Sequence, residues 1–207
     1  MSALGEVVVA GARPMLIEDA LPDFDAVRRE HAVIPGRREI AWHAVMAADF
    51  LDAWRDNRVV SALFAARAAA ERATSVVQGR AYSEPPVPES LRLADMEHSG
   101  EWVLLGEDQP REIAFGAIGR FWAGETAWLD IDADEFAAFG RPGFARIACN
   151  FSLRPYGRAA TLVTYEVRTQ ATDDASRRAF LRYWKPLSPF IGVVMRAQLT
   201  VIGRETR

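Results

Sequence analysis

The last thirty residues constrain this chain most. From the acidic pair Asp173-Asp174, which suits a helix N-terminus, a helical pattern runs to about Ile202. Phe180, Trp184, Leu187, Ile191, Val194 and Gln198 fall on one stripe, and Tyr183, Phe190, Val193, Ala197 and Val201 crowd the next. So wide an apolar face must be covered on more than one side. Pro186 deletes a helical hydrogen bond and Pro189 extends the break, so two arms meeting near Lys185–Ser188 are expected.

What covers that helix is written just before it. EWVLLGE (101–107) and REIAFGAIGRFW (111–122) flank the turn Asp108-Gln109-Pro110, the clearest hairpin signal in the chain. Thr126–Ile131 reads as a short strand. Phe144–Leu153 and Ala159–Ala171 read as two long ones around a turn at Pro155–Arg158. Ile147, Cys149, Phe151 and Leu153 alternate with Arg146, Asn150, Ser152 and Arg154, the period-two pattern of a half-buried antiparallel strand. Gly116, Gly119 and Gly124 lack the Lys-Ser/Thr ending of a phosphate loop and are read as points where the sheet bends.

The first half is helical. Val27–Ile34 is a candidate first strand, closed by Pro35-Gly36. Ile40, Val45, Leu51 and Trp54 recur at near-helical intervals over residues 37–58, and a second helix runs from Val59 through the alanine-rich stretch to Ala73. Residues 79–90, with Pro85, Pro86 and Pro88, read as a loop inside one domain. Residues 1–26 read as an irregular leader, broken by Pro14 and Pro22.

The chain has 207 residues, half of them apolar, which suits one large domain with a sizeable core. A net charge of −3 argues against a nucleic-acid partner. The single Cys149 rules out an internal disulfide and fits a reducing compartment. No apolar run reaches the ~18 residues of a membrane span and no signal-peptide layout is present, so a cytoplasmic protein is expected. His31, His43 and His98 have no ligand spacing; no metal and no cofactor is expected.

Strand, two helices, a run of antiparallel strands and a long terminal helix form the order of the whole. On that layout, and on GAIGRFW (116–122), PGFARIACNF (142–151), LVTYEVRTQATD (162–173) and SRRAFLRYWKPLSPFIGVVMR (176–196), the chain resembles a bacterial branch of the START-like or SRPBCC superfamily, the polyketide cyclase and lipid-transport group. The resemblance covers residues 27–203. It implies an α+β helix-grip fold, a single domain over residues 27–207, and a cavity between sheet and helix. Members bind lipids, sterols, polyketides and hormones, and a minority catalyse cyclisation or hydrolysis.

The expected ligand is therefore a small hydrophobic or amphipathic molecule. Trp122, Tyr183 and Trp184 are candidate cavity walls and Asn150 a candidate polar group in it. Glu166 and Arg168 lie two apart on one strand and share a face. With Arg120 they would orient a polar ligand head, or supply acid/base chemistry to a cyclase, dehydratase or hydrolase. The face opposite, with Val163, Tyr165 and Val167, is the more apolar, so the inward face of this strand stays open. No catalytic residue is assigned. A third reading is a protein-interaction module, including a homodimer.

Overall fold

The computed structural model describes residues 13–77, 79, 89–98, 101–122 and 127–206. It is an α+β structure. Six antiparallel strands form an open sheet: β1 (Ala26–Pro35), β2 (Val103–Asp108), β3 (Glu112–Arg120), β4 (Ala127–Leu129), β5 (Ala145–Tyr156) and β6 (Ala160–Ala171). Their order is β1-β6-β5-β3-β2, with β4 following β2 along the outer edge of β3. The β5–β6 hairpin pairs from Ala145↔Ala171 to Tyr156↔Ala160, and Gly157 turns it at φ 65°. The turn thus falls two residues later than the sequence suggests, because β5 carries its pairing through Pro155.

The helices are α1 (Leu16–Ala20), α2 (Arg38–Ala47), α3 (Asp52–Asp56), α4 (Arg58–Val77), α5 (Ala133–Ala138) and α6 (Asp174–Arg204), with a 3-10 turn at Leu93–His98. The helix expected over residues 37–58 is two helices. The chain breaks at Ala48, where ψ is 127°, and Asp49 Oδ1 accepts the amides of Leu51 and Leu91, each at 3.0 Å. A side chain that bonds nearby amides competes with helical continuation. Phe50 N also donates to Leu91 O at 2.9 Å, so this corner anchors the strand of chain leading into the 3-10 turn.

Three further differences have local causes. α1 lies inside the stretch read as an irregular leader: one turn is too short to show a period, and its buried Ile17 and Leu21 hold it to the sheet. α5 follows Asp132, whose carboxylate accepts Glu135 N at 2.8 Å while Glu135 returns the bond to Asp132 N, a capping box visible as D-x-x-E. α6 is one continuous 31-residue helix rather than two arms. Pro186 and Pro189 sit on its exposed side, so the carbonyls they leave unbonded reach water while both halves stay packed. The proline loop expected at 79–90 lies, between residues 80 and 88, outside the described residues.

Two layers of apolar side chains flank the sheet. One holds Ile34, Ile113, Phe115, Cys149, Phe151, Leu153 and Val163 against α2 and the C-terminal part of α6. The other holds Ile118 and Ala148 against Ile17, Leu21 and Phe136 of the α1–α5 side. The two sides are called the α6 face and the α1 face below. α6 is the one described helix long and apolar enough to cross a membrane, and 33% of its most apolar stretch is buried within the domain.

Candidate functional site

Register decides where the candidate residues go. Val163, Tyr165 and Val167 pack in the α6-side core, so Glu166 and Arg168 point to the α1 face. Cross-strand pairing sets Asn150 beside Glu166, and Arg29 on its other side. Glu166 accepts from Arg29 Nε and Nη2 at 2.6 and 2.8 Å and from Arg168 Nε at 2.6 Å. Burial alone would raise the Glu166 carboxyl, but the two guanidinium groups outweigh it and hold it below the ordinary value. Arg120 does not join them. It ends β3 exposed, six residues beyond Ala114, which is level with Asn150; at ~3.3 Å per residue that is about 20 Å along the strand.

The polar group on this face binds α1. Glu112, fully buried, accepts the amides of Leu16 and Ile17 at 2.7 and 3.2 Å and the Asn150 amide at 2.5 Å. Arg168 Nη1 donates to the carbonyls of Ile17 and Leu21 at 3.4 and 3.0 Å. An acid at the start and a base at the end of a helical turn complement its dipole. Arg111 adds bonds to the carbonyls of Arg13 and Pro14 at 3.0 and 2.8 Å. Asn150, Glu166 and Arg168 thus come together, around a segment of the chain itself.

The aromatic candidates come together elsewhere. Trp122 and Trp184 each pack on Phe180, with centroids 6.2 and 5.7 Å away, and Tyr183 meets Phe121 edge-on at 6.0 Å. Phe121 continues to Trp128, Trp102, Phe115 and Phe151, each ring 5.5–6.2 Å from the next. This chain of rings crosses the α6 face from the start of α6 to the core, and Phe151 stacks on Tyr165 at 4.3 Å. Burial drives the Tyr165 hydroxyl and the Cys149 thiol, which it meets, to higher pKa, so Cys149 is an inert apolar neighbour.

Beside Phe115 the α6 face opens into a pocket of about 260 Å³. Met46 of α2, Leu93 and Ala94 of the 3-10 turn, and Leu104, Glu107, Ile113 and Phe115 of the β2–β3 hairpin line it. It sits over the hairpin, with no α6 residue in its described lining, and the Asp49 corner fixes Leu91 just before the 3-10 turn that forms its other wall. None of its lining was singled out from sequence. A β-bulge between Leu104 and Gly106 shapes it: Leu105 is the extra residue, and beyond it Glu107 pairs with Ile113 and shares the α6 face. Regular alternation from Leu104 would have sent Glu107 to the other side. Among the described residues no His, Cys, Asp or Glu cluster could hold a metal ion.

No protein-family model and no curated protein matches the chain. Solved structures that align with the chain include two with low TM-scores. A crystal structure of a conserved protein from Geobacillus kaustophilus aligns with a TM-score of 0.40 and 11% identity over 87% of this chain and 95% of that one. A crystal structure of a protein from Thermus thermophilus aligns with a TM-score of 0.32 and 8% identity over 87% of this chain and 97% of that one.

Proposed function

We propose that the chain is a START-like helix-grip domain, working in the cytoplasm, that binds a small apolar or amphipathic molecule on the α6 face of its sheet. The observation that carries this reading is the pocket of about 260 Å³ formed by Met46, Leu93, Ala94, Leu104, Ile113 and Phe115, with one carboxylate, Glu107, at its exposed mouth. Concave, mostly apolar sites with a few polar groups are where small molecules bind. The bulge that sets the hairpin walls and the Asp49 corner that sets the opposite wall are both local departures from regular structure. At ~30 Å³ per water-sized group the pocket holds about nine non-hydrogen atoms. Binding strength comes from apolar area removed from water, at ~25 cal/mol per Å² before the cost of ordering.

A reaction at Glu166 finds no support in the geometry. Glu166 and Arg168 are engaged with Arg29 and with α1, and Arg120 stands apart. The test is native mass spectrometry of the chain purified from its own host, alongside Ala94→Trp, which adds bulk at the pocket wall. A small-molecule adduct on the wild type that Ala94→Trp lacks is the expected result. An adduct that Ala94→Trp retains would place the ligand elsewhere.

A further inference from the structure

Among the described residues Glu107 is the one charged side chain in the pocket lining, and it has no hydrogen-bond or ion-pair partner. Its neighbours in the hairpin are committed: Asp108 to Arg111 and Arg13, and Glu112 to α1. The bulge at Leu105 is what brings it to this face, and bulges next to binding sites commonly re-aim a side chain in this way. Ile113 lies opposite Glu107 on β3 and Phe115 lines the same pocket, so a cation entering at Glu107 meets a carboxylate beside an apolar wall. An anionic head would meet the same carboxylate with no compensating base among the described lining residues.

Resting on the pocket-binding reading above, we infer that the pocket selects molecules with a cationic head: a primary ammonium group on an apolar tail of about eight carbons, its size set by the volume of about 260 Å³. Glu107 accepts the ammonium protons, and Leu93, Leu104, Ile113 and Phe115 enclose the tail. The head stays near water at the exposed mouth, so it keeps part of its hydration while gaining a charge-assisted bond.

Isothermal titration of the full chain with n-octylammonium, 1-octanol and octanoate at neutral pH tests this. Octylammonium is expected to bind about two- to fivefold more tightly than octanol, as an exposed ion pair allows, with octanoate weakest. Glu107→Gln, at an exposed position, is expected to abolish that preference, bringing octylammonium down to the affinity of octanol for the same variant. Ala94→Trp is expected to weaken all three. If octanol or octanoate binds as tightly as octylammonium, or Glu107→Gln leaves the preference intact, the cationic selectivity is wrong although the pocket still binds. If no probe binds, or Ala94→Trp changes nothing, the pocket reading itself fails and this inference falls with it.

Discussion

A buried carboxylate is tolerated only where donors surround it, and Glu112 shows how tightly the α1 face is built around that rule. Its three donors are the Leu16 and Ile17 amides and the Asn150 side chain. Glu112→Ala leaves the buried Ile17 amide and Asn150 side chain and the part-buried Leu16 amide without this acceptor, so it is expected to cost about 3 kcal/mol of unfolding free energy in urea titration. Amide exchange should also accelerate over residues 16–21 before it does in β5 and β6. Glu166 gives a pH signature. Its folded-state pKa lies below the ordinary 4.5, so its contribution is fully present above that value and is lost as pH falls below it. The urea midpoint of the wild type should therefore drop between pH 5 and 3. Glu166→Gln should be less stable at pH 7 and show a shallower drop. At this scale the sequence is half legible. The i, i+2 spacing of Glu166 and Arg168 shows that they share a face. That Arg29 is the third member follows only from the β1–β6 register, which no short-range pattern encodes.

The strands and helices were easier to read than the joints between them. The β2–β3 hairpin, the long β5–β6 pair and α6 all announce themselves by period and by punctuation. α1 and the α2–α3 break do not, because one is a single turn held by tertiary bonds and the other hangs on where Asp49 aims its carboxylate. Gly119 is a case where the element needs a missing side chain. A Cβ there would come 2.5 Å from Trp128 Cε3 and 3.0 Å from the Ala127 carbonyl oxygen. Gly119→Ala gains strand order but must push the Trp128 ring out of its stack between Phe121 and Trp102, at 5.7 and 6.1 Å. Overpacking costs about 1–3 kcal/mol, more than the glycine replacement returns. A lower melting temperature and a shifted tryptophan emission maximum are the expected readouts. An unchanged emission maximum would mean that the ring chain does not depend on this contact.

For the whole molecule, the layout of sheet plus terminal helix was legible. The cavity was expected between that sheet and α6, whereas the pocket lies over the β2–β3 hairpin with no α6 residue in its described lining. The aromatic candidates Trp122, Tyr183 and Trp184 lie at the start of α6, packed on Phe180 and Phe121, while the pocket opens at the other end of the ring chain beside Phe115. The polar candidates Asn150, Glu166 and Arg168 lie behind the sheet altogether, because the pleat assigns them to the α1 face. A pocket built by a bulge and a helix break leaves no trace in sequence periodicity, since both are interruptions of it. The measurement that bears most directly on the account is amide and methyl chemical-shift mapping by NMR during titration with n-octylammonium. Shifts confined to Met46, Leu93, Ala94, Leu104, Glu107, Ile113 and Phe115 are predicted. Shifts centred on α1 and Glu112, or none at saturating probe, would contradict it.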